Sequence, residues 1–307
     1  MAKLIILVGL PGSGKSYYAE NMLWPVEAAF SESEVVIHSS DAIRGELFGD
    51  EGSQENNALV FETLHKRVKE DLRAGKTVIY DATNITRKAR RGVINLASKD
   101  DIVYCHIVWA EPSICIERAA SRPRVVGEDV IFKMMHRWQS PHMSEGFDDM
   151  KVICADPNFD QVRYVAMSTM NMQLPHDNPH HTSDIWGHCQ LAWHYLQSKP
   201  KKNSAELIAT MWHDIGKPYT KSWHVDKETG KIDYHHAHYY DHHCVGGYLA
   251  YGLFLHNTEY SSDMICWISW LICNHMEPFF NSHYYRDLPA YMKDAIDRIH
   301  AADLAAH

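Results

Sequence analysis

The chain has 307 residues, 45% hydrophobic and 22% charged, with a net charge of −9. That length allows two cored domains, and the balance is that of a globular protein rather than a disordered one. Its longest strongly apolar stretch, near residues 264–273, is far shorter than the ~20 residues a bilayer-spanning helix needs, and the acidic charge argues against a general nucleic-acid coat while leaving room for an enzyme with a local basic patch.

In chain order, the first half alternates strand-like and helix-like segments. Residues 4–8, 35–38, 77–80 and 102–108 are short apolar or β-branched runs, and residues 56–72 and 88–97 have helical character. Such alternation predicts βαβ units and a parallel sheet covered by helices on both faces. Residues 151–154 and 161–166 are read as the last strands. The opening run MAKLIILVGLPG resembles the apolar core of a signal peptide, but cleavage there would remove the glycine-rich loop that follows. A strand is expected instead.

The composition changes after Met167. Five of the 22 histidines precede residue 170, and the other seventeen follow it. Residues 174–178 and 179–182 are rich in Pro, His and Asn and read as a linker. Helices are predicted over 184–196, 205–214, 244–255, 262–275 and 289–306, with a loop or small hairpin over 221–234. The expected organisation is an α/β domain over 1–168 followed by an all-α domain over 180–307. The seven cysteines form no C-x-x-C pair and mostly lie in apolar runs, as reduced thiols of a cytoplasmic protein would.

GLPGSGKS, residues 9–16, matches G-x-x-x-x-G-K-[ST] between a predicted strand and a predicted helix. Gly12, Ser13 and Gly14 let backbone N–H groups close around phosphate oxygens at a helix N-terminus. Lys15 would then reach the β/γ phosphates and Ser16 would hold Mg²⁺, so ATP or another NTP with Mg²⁺ is the expected cofactor. Asp41 and Arg44 follow the second strand, where an acceptor hydroxyl would sit; capping of the next helix is the lesser alternative for Asp41. Asp81 and Asn84 end the third strand, with Asp81 suited to the Mg²⁺ water shell or to loop support. Arg118, Arg122 and Arg124 form a candidate lid over the phosphates. The run Arg87, Lys88, Arg90, Arg91 reads either as a solvated helix face or as the path of a nucleic-acid strand.

Together with EGFD at 145–148, these residues resemble the polynucleotide 5′-kinase family over nearly all of 1–168. The resemblance implies that Asp41 is the general base on a 5′-hydroxyl and that Arg44 contacts the substrate phosphate beside the terminal nucleoside. It also implies that Arg118 and Arg122 stabilise the transferring phosphoryl group.

WHDIGKP, residues 212–218, places His213 and Asp214 where Gly216 and Pro218 cut a helix short, so both side chains can reach one metal. His188, His242, His275 and Asp303 are candidate further ligands. His180 and His181 compete with His188, and His243 competes with His242; His235, His236 and His238 are surplus to one site. A His/carboxylate set suits one or two Mn, Fe, Co, Ni or Zn ions. The order His188, His213-Asp214, His242, His275, Asp303 resembles the HD phosphohydrolase superfamily. That resemblance implies a first metal on His188, His213, Asp214 and Asp303. It places His242 and His275 on a second metal or on phosphate, and Lys217 beside the substrate phosphate.

The two resemblances imply a bifunctional end-healing enzyme that phosphorylates 5′-OH ends of RNA or DNA. Its second activity would be removal of a 2′,3′-cyclic phosphate or a 2′- or 3′-phosphate, in functional partnership with a nucleic-acid ligase and away from membranes. A nucleoside or small-metabolite kinase fused to an HD nucleotidase is the alternative. A non-catalytic nucleotide sensor is a third reading, but a sensor has no need of a general base.

Overall fold

The computed structural model describes every residue except 123–124, 178–182, 226–227 and 307. The chain forms two compact units, Met1–Met134 with Pro141–Phe159, and Met135–Ser140 with Asp160–His307. Among the described residues, no helix is long and apolar enough to cross a membrane.

The first unit contains β1 (Lys3–Val8), α1 (Lys15–Tyr18), α2 (Trp24–Phe30), β2 (Val35–Ser39), α3 (Ser40–Phe48), α4 (Asn57–Arg73), β3 (Thr77–Asp81), α5 (Arg87–Ile94), β4 (Ile102–Trp109), α6 (Pro112–Ala120), α7 (Glu128–Met135) and β5 (Asp149–Cys154). Between α1 and α2 a π turn spans Ala19–Leu23, just before Pro25, whose missing N–H interrupts the helical ladder. The five strands pair in parallel in the order β2-β3-β1-β4-β5. All five residues of β3 and all but the first of β1 are buried, as expected of strands covered on both faces. After β1 the chain steps outward to β2, returns through β3, and then crosses to β4 on the other side of β1. This topological switch sets the carboxyl ends of β1, β2 and β3 side by side, the position where open α/β sheets bind ligands.

The second unit contains α8 (Gln161–Met172), α9 (Ile185–Gln197), α10 (Ser204–Trp212), α11 (Lys217–Thr220), β6 (Lys221–Val225), β7 (Ile232–Tyr239), α12 (His242–Phe254), α13 (Ser262–Asn274), α14 (Glu277–Phe280), α15 (His283–Asp287) and α16 (Ala290–Leu304). Two expectations are corrected here. Residues 161–166 are helix, not strand: Asp160 caps α8 by accepting from Arg163 N, and Tyr164, Ser168 and Met172 form its buried stripe at four-residue spacing. The unit is also not purely helical, because β6 and β7 form an antiparallel hairpin that runs past residue 234 to Tyr239.

Helix α12 is the centre of this unit. Eleven of its thirteen residues are buried, and a helix buried all round needs no amphipathic pattern. Trp138 meets Tyr248 and Tyr251 of α12 edge-on, while Ser140 and Ser269 share a hydrogen bond of 2.7 Å. Gly216, at the start of α11, lies directly against α12: a Cβ there would sit 2.0 Å from His242 O and 2.7 Å from Gly246 N. Gly216→Ala should therefore lower the stability of this unit by roughly 1–3 kcal/mol through overpacking, read as a lower urea midpoint. An unchanged midpoint would contradict the close approach.

His106 gives the first unit a pH dependence. Its Nδ1 lies 3.0 Å from Tyr18 Oη inside β4, and burial, reinforced by Lys151 and Lys3, depresses the imidazole to about 3. The unfolded chain takes up this proton below about pH 6.5 and the folded chain does not. The stability this imidazole contributes is therefore complete above that pH and declines as the pH falls toward about 3. His106→Gln should flatten the acid limb of a urea-midpoint profile between those values; an unaltered slope would count against it.

Candidate functional site

The loop after β1 is shaped by its glycines. Gly12 and Gly14 have φ of +79° and +95°, and a Cβ on Gly12 would lie 2.2 Å from Cys115 O. The end of β3 braces the loop from beside it: Gly9 N donates to Thr83 O at 3.0 Å, and Asn84 Nδ2 donates to Leu7 O at 2.8 Å. Ser13 is fully buried, and Lys15 donates its Nζ proton to Leu10 O at 2.8 Å. Burial holds the Lys15 ammonium below its ordinary range; Asp81 opposes that pull, Arg122 adds to it, and Asp41 opposes it more weakly. Ser16 Oγ donates to Asp81 Oδ2 at 2.7 Å, the hydroxyl–carboxylate pair that a loop-bound Mg²⁺ calls for. Arg118 reaches Ala155 O and Asp156 at 3.4 and 3.6 Å, and its guanidinium lies 3.8 Å from where a Gly14 Cβ would be.

Asp41 stands in the first turn of α3, but Ser39 is the cap, accepting from Asp41 N at 3.3 Å. The Asp41 carboxylate instead accepts from Arg44 Nη1 at 2.6 Å, while Arg44 Nη2 donates to Asn57 Oδ1 at 3.0 Å. The basic run on α5 is not uniform. Arg90 is fully buried, gripping Glu145 through two bonds of 2.7 Å and Asn84 O at 3.1 Å. The EGFD segment is thus structural: besides Glu145, Gly146 has φ +108°, Phe147 is buried, and Asp148 accepts from Val103 N. Arg124 lies outside the described residues, as do His180 and His181.

In the second unit, six elements deliver one cluster. His188 comes from α9, His213 caps α10 and is followed by Asp214, Lys217 begins α11, His242 begins α12, His275 caps α13, and Asp303 comes from the last turn of α16. Three of the imidazoles are set by one local device. Nδ1 of His213, His242 and His275 donates to the carbonyl three residues back, on Thr210, Tyr239 and Ile272, at 2.7, 2.8 and 2.7 Å. A carbonyl can only accept, so Nδ1 carries the hydrogen in each ring and Nε2 faces the cluster.

There the Nε2 atoms meet the carboxylates. His188 Nε2 lies 2.9 Å from Asp303 Oδ1 and 3.6 Å from Asp214 Oδ2; His213 Nε2 lies 3.4 Å from each of the same oxygens. His242 Nε2 is 3.3 Å from Asp214 Oδ1 and 3.3 Å from His275 Nε2. With both Nδ1 atoms committed as donors, that last contact sets lone pair against lone pair unless a cation lies between them. Burial, followed by the fields of His213 and His242, pushes His275 well below its ordinary range and so disfavours a proton there. Burial opposes ionisation of Asp214, yet His213, Lys217 and His242 hold its carboxyl well below the usual range. Asp214 in turn lifts His213 well above the usual imidazole range, against the pull of burial. The donor atoms of His188, His213 and Asp214 lie within 4.8 Å of one another, as do those of Asp214, His242 and His275. Both triads fit a divalent transition metal, and Asp214 belongs to both.

One neighbour of this cluster escaped the sequence reading. His176 is buried, its Nδ1 donates to Ser183 O at 3.0 Å, and its Nε2 therefore accepts from Lys217 Nζ at 3.3 Å. Burial and then the Lys217 ammonium hold it at about 4. Lys217 is thus braced between His176 and Asp214, 2.6 Å away. No spacing marks His176; it sits among the residues read as linker. Of the surplus histidines, His235 and His236 are exposed, whereas His243 packs against His242 and His275 with ring centroids at 5.7 and 6.3 Å.

Comparison with known proteins bears on the first unit. The L-seryl-tRNA(Sec) kinase of Methanococcus maripaludis is 27% identical over 152 residues, which is 47% of this chain and 56% of that protein. Transcription factor bHLH140 of Arabidopsis thaliana is 22% identical over 166 residues, 51% of this chain and 16% of that one. The chain thus spans about half or less of the length of these curated relatives. Among solved structures, Kti12 of Chaetomium thermophilum in complex with ADP-AlF3 is similar over 55% of this chain and 97% of its own, at 19% identity and a TM-score of 0.41. A chain of the Pnkp1/Rnl/Hen1 RNA repair complex is similar over 43% of this chain and 42% of its own, at 24% identity and a TM-score of 0.36. Residues 4–141 match the family model of an AAA domain, and with the loop geometry above they form a nucleotide-binding, P-loop kinase-type domain.

Proposed function

We propose that the chain heals both sides of a broken polynucleotide, with a kinase domain in the first unit and an HD-type phosphohydrolase domain in the second. The first transfers the γ-phosphoryl group of ATP to a 5′-hydroxyl, and the second removes a 2′,3′-cyclic phosphate or a 2′- or 3′-phosphate. The observation that carries this reading is the presence, in one chain, of the Asp41–Arg44 pair following β2 and a buried His/Asp cluster whose donor atoms fit a divalent cation.

In the kinase reaction Asp41 accepts the proton of the attacking hydroxyl, with its orientation fixed by Arg44 at 2.6 Å. Lys15, Arg118 and Arg122 stabilise charge on the transferring phosphoryl group, and Ser16 with Asp81 serves Mg²⁺. In the hydrolase, His188, His213, Asp214 and Asp303 would hold one metal, and His242 and His275, with Asp214, would hold a second. A bound metal of this kind supplies an activated water and polarises a phosphoryl oxygen. Lys217 binds the substrate phosphate, held in place by His176.

A small-metabolite kinase fused to a nucleotidase is favoured by the net charge of −9 and by the withdrawal of Arg90 into its bond with Glu145, which removes one member of the basic run. A paired assay separates the two readings. Labelled ATP and Mg²⁺ should transfer phosphate to a 5′-OH oligonucleotide, and Mn²⁺, Co²⁺ or Ni²⁺ should support hydrolysis of a 2′,3′-cyclic nucleotide. Lys15→Ala should cut the transfer by roughly 10²- to 10³-fold and spare the hydrolysis. Asp214→Ala should cut the hydrolysis by more than ~100-fold and spare the transfer. Efficient phosphorylation of a free nucleoside with none of the oligonucleotide would sink the end-healing reading, and loss of both activities in either variant would refute independent sites.

A further inference from the structure

A line of flat side chains leads from the His/Asp cluster out along the hairpin. Lys217 Nζ, beside Asp214, also lies 5.5 Å from the centroid of the Tyr239 ring. Tyr239 pairs across the hairpin with Lys221, whose Nζ is 4.9 Å from the Trp223 ring. The Trp223 ring is 5.2 Å from that of Tyr234, which is 59% exposed. Alternation along paired strands puts Lys221, Trp223 and Tyr239 on one face, and the irregularity between Trp223 and His224 brings Tyr234 back to Trp223. Cation and ring therefore alternate outward from the cluster.

The setting of these rings points to their partner. An apolar protein partner calls for a contiguous apolar patch; here Lys217 and Lys221 interleave with the rings, and the exposed Val225 and Ile232 are confined to the pair beyond Trp223 and Tyr234. Aromatic rings beside cations are what a single strand uses, because every base offers a π face and its backbone carries one charge per residue. Lys221 is fixed by its ion pair with Asp177 and its bond to Pro175 O at 3.1 Å, so the row is ordered at its inner end.

We infer that Trp223 and Tyr234 form a stacking platform for a single-stranded polynucleotide whose terminal phosphate lies at the Asp214 cluster. This rests on the end-healing reading of that cluster, and it assigns the second unit a preference for strands over mononucleotides. The opposite face supplies a control, since Tyr240 stacks on His238 there at 5.3 Å.

The full chain with Mn²⁺ is assayed on a 2′,3′-cyclic mononucleotide and on an oligoribonucleotide of about ten residues ending in the same group. Fluorescence anisotropy of a labelled oligoribonucleotide with a 3′-OH end reads binding without turnover. Wild type should favour the oligonucleotide in kcat/KM by roughly ten- to a hundredfold, the scale of one or two stacked bases. Trp223→Ala with Tyr234→Ala should bring that ratio close to one through KM and weaken the anisotropy Kd by the same factor; Tyr240→Ala should leave both as in wild type. Tyr234→Ala alone, at an exposed position, should give part of the effect if the double variant misfolds. A wild-type ratio near one, or a ratio and Kd unmoved by the hairpin variants, overturns the platform. Failure of wild type to hydrolyse either substrate overturns the hydrolase reading instead, and the anisotropy series then decides on the platform alone.

Discussion

Two imidazole nitrogens 3.3 Å apart, each in a ring whose other nitrogen is already spent on a backbone carbonyl, govern the second unit. Neutral rings held this way repel, and burial makes a proton costly. A divalent cation removes both difficulties, and it also relieves the packing of two carboxylates, Asp214 and Asp303, among buried histidines. The first unit meets the same demand by other means. Its loop turns backbone N–H groups and a buried ammonium toward one place, so positive charge is prepared for phosphate without a resident ion.

The architecture that produces these spots is economical in residues. In the sheet, reversal of strand order at β1 brings the loop, Ser39 to Arg44, and Asp81 to Asn84 to one edge. Asp81 then lies within reach of Ser16, and Asn84 holds the end of β1. In the helical unit, three of the clustered imidazoles stand at helix ends, where the chain can fold the ring back onto the carbonyl three residues earlier. The close pass of Gly216 over His242 O and Gly246 N draws Asp214 and Lys217 up to α12. Lys217, braced by His176 on one side and Asp214 on the other, is then held in one orientation by its neighbours.

Much of this was legible in the residue order. The glycines of the loop, the strand alternation and the His-Asp pair each follow a local rule, and local rules survive folding. The strand reading of residues 161–166 failed because Val162, Tyr164 and Val165 suggest β structure. The helical signal lay on either side, in the Asp160 cap before them and in the four-residue spacing of Tyr164, Ser168 and Met172. Arg90 and Glu145 looked like parts of functional motifs, yet a buried pair joining residues 55 apart in sequence cannot be inferred without the fold. His176 was hidden for the same reason: its role is set by Ser183 and Lys217, and nothing in its own neighbourhood repeats.

The central claim is that the His/Asp cluster holds a metal. The direct measurement is elemental analysis of the purified chain by plasma mass spectrometry after exchange against Mn²⁺, Co²⁺ or Ni²⁺, beside His213→Ala and His275→Ala. The account predicts one or two transition-metal ions per wild-type chain, loss of metal in His213→Ala, and at most one ion in His275→Ala. A folded wild-type chain that retains no metal, or variants that retain as much as wild type, would contradict it.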